Sequence, residues 1–401
     1  MAGEADHEGL AAAARVTFVS HDFGYGGDLM YWGEIFAALR PRLGSLSIVV
    51  PADRTYANPD CLALVPGAQF IHLPLRRSVA GAAYPATLAL PLPGLLRALG
   101  RTRPDVVVAV EFTPAALLAA AYAAINGAAL ALLVEGDPAS RGGGAGGWAR
   151  QIKRRVLRRA DAVQTSNEAG ANYLRALGAV PERLTVAPYL TSKPPGRADL
   201  DGQAGAPLRI LFANSLDHRK GADALIAGLA HLTAYERAQI ALTVVGGGPA
   251  RSALEEQAVR GGLADQVRFV GPVVYRELGA YLAAADVLAI PSRADYRSLA
   301  GFEGLAYGLA LLASTRDGAS AETLVSGQNG FLIDPAEPAG IARAVAALVA
   351  DRAMLARMRA ASLERYEAHF SLEGITDNLA VTIAAARQRR LSLGSLGGRA
   401  G

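Results

Sequence analysis

The chain is a succession of short apolar runs, each stopped by a glycine, proline or polar loop and followed by a helix-patterned stretch. That alternation constrains the fold more than any other feature. The run Asp-Val-Leu-Ala-Ile at 286–290 is too short for a helix and has no polar alternation, so it reads as a strand buried on both faces. Pro291-Ser292 stops it, because proline has no N–H to give to a ladder. A polar loop follows, and a small-residue helix opens near Ser298 and ends at Gly308. Runs of the same kind fall at 15–20, 46–50, 70–72, 105–110, 128–134 and 162–165, and a second series begins at 208–212 and continues at 240–245 and 267–270. Strands alternating with helices argue for parallel sheets covered on both faces. Between the two series, residues 190–207 (LTSKPPGRADLDGQAGAP) lack apolar periodicity and are rich in proline and glycine, which marks a linker. The expected fold class is α/β, with two Rossmann-like doubly wound domains at 15–190 and 208–371. The linker spans 191–207, helices lie near 337–349, 351–369 and 372–390, and loose tails occupy 1–14 and 391–401.

Composition removes several classes. With 401 residues, 51% of them hydrophobic, the chain can bury more than one core and is not disordered. Forty basic against 36 acidic residues give a net charge of +4. That suits an anionic ligand or acidic headgroups, but is too small to argue for nucleic acid. One cysteine, Cys61, excludes an intrachain disulfide and a cysteine-rich metal site, which fits a reducing cytosol. Six scattered histidines show no ligand spacing, so no metal is expected. Asp199-Leu200-Asp201 spells a carboxylate pair but sits in the linker. The acidic start MAGEADHEGL is no secretory signal. Residues 115–134 are nearly all apolar and about one bilayer long. Asn126-Gly127 divides them, however, into a helix, a turn and a buried strand.

Chemistry concentrates at strand ends. A loop at the carboxyl end of a parallel strand is where open α/β sheets bind ligands, and a helix start there favours phosphate. The loop after 286–290 carries Asp295, and Glu303 lies eight residues on, inside the helix. The loop at 21–28 holds Gly26 and Gly27, which either admit a ligand or make an ordinary βα turn. Glu111 and Glu135 end two strands, as acceptor-binding or acid/base groups or as solvated loop carboxylates. Lys220 opens a helix in a chain with only two other lysines, Lys153 and Lys193. Glycines 246–248 let nucleotide or backbone come close. On 147–160, Trp148, Ile152, Val156 and Ala160 form one stripe against Arg150, Lys153, Arg154, Arg155, Arg158 and Arg159. Such a helix either packs on its own domain or lies on an anionic membrane.

Pro291-Ser292, an acidic residue three on, and Glu303-Gly304-Leu305-Ala306-Tyr307-Gly308 resemble the carboxylate signature of retaining family 4 glycosyltransferases, which have the GT-B fold. The family usually has glutamate at both acidic positions; here Asp295 takes the first and Glu303 the second, and Ser298 stands where glycine is usual. The resemblance implies two domains facing across a cleft, with the last helix crossing back to the N-terminal domain. It implies metal-independent transfer from a nucleoside-diphosphate sugar to an acceptor hydroxyl on a glycan, lipid-linked or small molecule, with no other cofactor. Lys220, with Arg219 and the N–H groups at Ser298, Leu299 and Ala300, would stabilise the diphosphate. Glu303 would hold the ribose and Asp295 the sugar hydroxyls. Gly26, Gly27, Gly247 and Gly248 would approach the donor, and the loop at Val273 the base. Ser215 occupies the slot of a family arginine, and histidines usual near Glu111 and Glu135 are absent. These departures keep open an inert sugar-nucleotide-binding protein and, more remotely, a sugar-nucleotide epimerase. The expected location is cytoplasmic, with peripheral contact at the inner membrane face.

Overall fold

The computed structural model describes residues 9–19, 28–50, 65, 67–72, 92–135, 147–196, 206–295 and 297–397. They form two compact units, one of Met1–Leu190 with Leu372–Gly401 and one of Thr191–Ser371.

In the first unit the elements alternate as β1 (Arg15–Val19), α1 (Asp28–Leu39), β2 (Ser45–Val50), β3 (Gln69–His72), α2 (Leu92–Thr102), β4 (Val106–Val110), α3 (Pro114–Asn126), β5 (Ala129–Leu133), α4 (Gly147–Arg159), β6 (Ala162–Thr165), α5 (Glu168–Leu177) and β7 (Leu184–Val186). The sheet order is β3-β2-β1-β4-β5-β6-β7, and every pairing is parallel. The order reverses between β1 and β4, the switch point of a doubly wound sheet. β4 and β5 are buried at every position, as uninterrupted apolar runs require. The apolar stretch 115–134 is split as its Asn-Gly pair implies. Thr113 caps α3 by accepting from the Ala116 N–H, and Gly127 ends it at φ 73°.

The sheet departs from expectation at its edge. β7 carries no apolar run, only Leu-Thr-Val with two exposed residues, and is held by its parallel ladder to β6. Residues 9–14, expected to be loose, pack: Ala11 and Ala14 are buried, and the Leu10 carbonyl accepts from Arg387. On α4, Val156 and Leu157 sit in the core and Ile152 is half-buried, so at these positions the apolar stripe is a packing face. The Trp148 side chain lies outside the described residues.

The second unit runs β8 (Leu208–Ala213), α6 (Ala222–Ala230), α7 (Ala234–Arg237), β9 (Ile240–Val245), α8 (Arg251–Arg260), β10 (Val267–Gly271), α9 (Tyr275–Ala283), β11 (Val287–Ile290), α10 (Ala300–Ala306), β12 (Ala310–Ser314), α11 (Ser320–Thr323), β13 (Gly330–Ile333), α12 (Pro338–Ala350) and α13 (Arg352–His369). Its parallel sheet has the order β10-β9-β8-β11-β12-β13. At the amino ends of β8 and β11 the buried Asp286 carboxylate accepts from Arg209 at 2.7 and 3.0 Å and from Arg359 at 3.1 Å. Burial would raise Asp286, but the Arg209 hydrogen bonds and both guanidinium charges hold it below the usual carboxylate range.

The last helix, α14 (Leu372–Gly397), belongs to the first unit, where Thr382 Oγ1 donates to Gln164 at 2.7 Å. It continues seven residues past the expected end at 390, to Gly397. Ser392 Oγ donates to the Gln388 carbonyl, four residues earlier, and Ser395 Oγ to the Ser392 carbonyl, three residues earlier.

Residues 191–196 also differ from a free linker. Thr191 and Ser192 are buried, and Tyr307 donates to the Pro194 carbonyl at 2.7 Å. A Cβ on Gly279 would stand 1.9 Å from the Pro195 carbonyl oxygen, so this glycine lets the segment lie on α9. A Pro-Pro-Gly composition has no periodicity to signal such packing.

Candidate functional site

The candidate site lies at the carboxyl ends of β8 and β11. After β8, Asp217 caps a single turn, His218–Lys220, by accepting from the Lys220 N–H at 3.1 Å. Gly221 follows at φ 73°, and a Cβ there would stand 1.9 Å from the Pro291 carbonyl oxygen. Only glycine lets this turn rest on the end of β11. The consequence is chemical: Lys220 reaches across to pair with the Asp295 carboxylate, and Arg219 Nη1 stands 3.4 Å from the same carboxylate. Both members of the lysine pair are largely covered, with side-chain exposures of 11% and 6%. Arg293 laces the same loops, donating from its backbone to Arg219 and from its side chain to Asp223 at 2.6 and 2.7 Å.

Three expected residues, Lys220, Arg219 and Asp295, are therefore together. Ser215, in the slot of the family arginine, is exposed and donates to Asp217 at 2.7 Å. Burial would raise Asp217, but the Ser215 bond, the Arg219 charge and the backbone N–H groups of Lys220 and Arg219 hold it below the usual range.

Glu303 is in a different environment. It is 8% exposed on α10, and its Oε1 accepts from Ser192 Oγ at 2.7 Å; the Ser192 hydroxyl is also 3.0 Å from the Tyr275 hydroxyl. Burial pushes the Glu303 carboxyl up, and the Ser192 bond opposes that only in part.

Asp317, given no role from sequence, is the residue that shapes the Asp295 loop. The two aspartates form a backbone bridge, with Asp295 N–H to the Arg316 carbonyl at 3.2 Å and Gly318 N–H to the Asp295 carbonyl at 3.1 Å. Asp317 Oδ1 accepts from the N–H groups of Ser298 and Ala319, each at 3.1 Å, while Oδ2 is buried with no hydrogen-bond partner among the described residues. Burial, reinforced by the Asp295 charge, pushes Asp317 up to about 6 against the pull of both N–H groups and Lys220. The Ser298 N–H expected for phosphate thus already has an acceptor; Leu299 and Ala300 start α10 just beyond it. An Asp-Gly pair reads in sequence as a turn, which conceals this role.

The glycines after β9 have a local explanation. Cβ atoms on Gly246 and Gly248 would stand 1.9 and 2.4 Å from the carbonyl oxygens of Asn214 and Leu216, so the loops after β8 and β9 touch backbone to backbone. Gly247 has room for ordinary contact with Pro272 at 3.4 Å. Val273 is half-buried against the core beneath α10. A further buried pair, Arg297–Glu322 at 2.8 Å with exposures of 3% and 6%, stacks its guanidinium 4.3 Å from the Phe302 ring.

In the first unit, Glu111 and Glu135 end β4 and β5. Glu111 is buried, adopts φ 60°, and accepts from the Glu135 N–H at 2.9 Å, so it is not a solvated loop carboxylate. Gly26 and Gly27 lie outside the described residues. Among the described residues no group of three His, Cys, Asp or Glu gathers as metal ligands, and no helix is long and apolar enough to cross a membrane.

Two doubly wound parallel sheets in one chain, with the charged cluster at the strand ends of the second, define the GT-B class of glycosyltransferases. The family model "Glycosyl transferase 4-like domain" matches residues 26–189, and "Glycosyl transferases group 1" matches 202–365. With both halves matched, the chain belongs to the family 4-like glycosyltransferases. It is similar to a GDP-mannose-dependent alpha-(1-6)-phosphatidylinositol monomannoside mannosyltransferase of Mycobacterium tuberculosis, 28% identical over 92% of this chain and 97% of that one. A glycogen synthase of the same organism is 31% identical over 46% of this chain, and the match spans only 44% of that relative. Among solved structures, Anabaena HepE in complex with UDP superposes with a TM-score of 0.71 at 18% identity, covering 92% of this chain and 99% of that one.

Proposed function

We propose that this chain transfers a sugar from a nucleoside-diphosphate sugar to an acceptor hydroxyl, with retention and without a metal ion. The Lys220–Asp295 pair beside Arg219 carries the reading. A donor diphosphate placed against Lys220 replaces one carboxylate with a stronger anion and releases Asp295 toward the sugar hydroxyls. Lys220 and Arg219 then stabilise the charge that develops on the leaving phosphate, an electrostatic contribution worth most in a water-poor site. The departing phosphate oxygen takes the acceptor proton, so no separate base is needed. Glu303 is proposed for the ribose, and Glu111 and Glu135 for the acceptor. Support for the donor class comes from the mannosyltransferase named for GDP-mannose and from HepE bound to UDP. The chain is placed in the cytoplasm, with the exposed arginines of α4 meeting anionic lipid, a contact that salt should release.

An inert sugar-nucleotide binder is the second reading, favoured by the pairing of Lys220 with Asp295 and of the Ser298 N–H with Asp317. Release of nucleoside diphosphate from GDP-mannose and UDP-glucose, in the presence of EDTA, separates the two. The enzyme releases diphosphate, and Lys220→Ala lowers the rate by roughly 10²–10³. Thermal stabilisation by the same donors with no release, or near-normal turnover in Lys220→Ala, overturns the proposed role.

A further inference from the structure

At the amino ends of β1, β4 and β5, a concavity of about 380 Å³ is lined by Arg15, Arg103, Asp105, Tyr122, Arg387 and Arg390 among others. Glu111 and Glu135 lie at the opposite ends of these strands, about 17 Å away for five residues at roughly 3.3 Å each. Among the described residues, four guanidinium groups meet one carboxylate here, and that carboxylate is already committed. Asp105 accepts from the Arg15 backbone N–H at 2.8 Å and from its guanidinium at 2.8 and 3.2 Å. Burial would raise Asp105, but these bonds and the charges of Arg15 and Arg387 hold it below the usual range. Arg387 and Arg390 donate only to the carbonyls of Leu10 and Gly127, and Arg103 makes no side-chain hydrogen bond or ion pair among the described residues. Among the described residues, Arg103 and Arg390 thus line one concave surface without an ion-pair partner, and Arg387 faces only Asp105, which Arg15 already holds.

Arg103 is held there at a cost. It has φ 42°, donates its N–H to the Leu99 carbonyl, and so forms the left-handed cap of α2, a position that glycine or asparagine normally takes. A bulky residue kept in a conformation that disfavours it points to a selected side chain rather than a selected backbone.

We propose that this concavity is a binding site for a small phosphorylated molecule, held by Arg103, Arg387 and Arg390. Guanidinium forks match phosphate oxygens two at a time, and several from different elements (the cap of α2 and successive turns of α14) discriminate a polyvalent phosphate from a monovalent anion. The volume suits a compact ligand, and the Tyr122 ring and Leu391 add an apolar wall for the group that carries the phosphate. This site stands independently of the proposed transfer reaction.

The test uses full-length protein carrying Lys220→Ala, which removes the proposed donor-phosphate contact, and calorimetric titration with inorganic pyrophosphate at fixed ionic strength. Pyrophosphate binds the Lys220→Ala protein, and adding Arg103→Gly or Arg390→Gln weakens that binding at least tenfold. Arg103→Gly carries its own folding control, because glycine relieves the strained cap and raises the melting temperature by about 2–4 °C. Higher stability with weaker anion binding is therefore the expected pairing. Unchanged affinity in a stabilised Arg103→Gly protein overturns the proposal, as does an equal response to chloride. Binding to phosphatidylinositol phosphate vesicles with no response to soluble pyrophosphate overturns the small-molecule assignment.

Discussion

Replacing Asp317 by asparagine isolates the cost of burying one charge in the candidate site. Asparagine keeps an oxygen for the Ser298 and Ala319 N–H groups and removes the charge from a side chain only 4% exposed. The carboxyl is raised from 3.8 to about 6 in the folded chain. Above both values the group is ionised folded and unfolded, and the folded state bears the full cost, about 3 kcal/mol at 1.36 kcal/mol per pH unit. As pH falls through 6 the folded state takes up a proton that the unfolded state lacks, so stability rises until about 3.8. At pH 4.5 only about 1 kcal/mol of the cost remains. The advantage of Asp317→Asn over the parent protein is thus larger at pH 7.5 than at pH 4.5 by about 2 kcal/mol, or roughly 4–8 °C in the transition of a unit this size. The asparagine amide placed where Oδ2 was buried imposes a penalty of its own, but that penalty does not depend on pH. Titrating groups that do not interact with Asp317, including Glu303 with its raised carboxyl, are common to both proteins and cancel. Scanning calorimetry of both proteins at the two pH values is sufficient. An offset in melting temperature that is the same at pH 4.5 and 7.5 refutes the reasoning.

Three more outcomes follow from neighbouring contacts. Ser192→Ala strips the buried Glu303 carboxylate of its donor and costs about 1–3 kcal/mol; since the lost bond favoured the ionised form, the loss is greater at pH 8 than at pH 5, and a pH-independent loss in chemical denaturation contradicts this. Gly221→Ala forces a Cβ against the Pro291 carbonyl at a positive φ, costs more than about 2 kcal/mol, and lowers turnover by moving Lys220 off Asp295; wild-type melting would disprove the close approach. Arg297→Met leaves Glu322 buried without its ion-pair partner at a cost of roughly 3–5 kcal/mol, most of which Arg297→Met/Glu322→Leu restores if the pair is the cause.

What the sequence discloses is what repeats locally. Runs such as Val106–Val110 and Val287–Ile290 carry their own burial in their composition, so most strands of both sheets could be read along the chain, although Ala310–Ser314, buried throughout as well, was not among them. Leu184–Val186 could not, because its strand character comes from β6 beside it and not from its three residues. Within the site, Lys220 and Asp295 were legible because each sits at a motif position, and Arg219 only as the neighbour of Lys220. That they form one cluster depends on a turn resting on a strand end 70 residues away, which no local pattern encodes. Ser192 was hidden for a related reason: its segment reads as linker, and its partner Glu303 is 111 residues distant. Asp317 was hidden by the ambiguity of its type, since a turn aspartate and a buried hydrogen-bond hub are spelled alike.

Gly221, Gly246 and Gly248 have a consequence for how such a protein can change. Each stands where a side chain would strike a main-chain carbonyl of the neighbouring strand or loop: Pro291 for Gly221, Asn214 for Gly246 and Leu216 for Gly248. At these three positions the rim of the second sheet is therefore assembled from peptide groups in direct contact, beside the loops that Asp217, Arg293 and Asp317 hold. On the proposed function, substitutions at exposed or half-exposed rim positions such as Ser215 and Val273 alter what is recognised without placing a side chain in those contacts. Libraries aimed at a new donor should vary those positions and hold the three glycines constant. Clones that do carry a side chain at any of the three should melt at lower temperature than the parent, whatever sugar the selection favours.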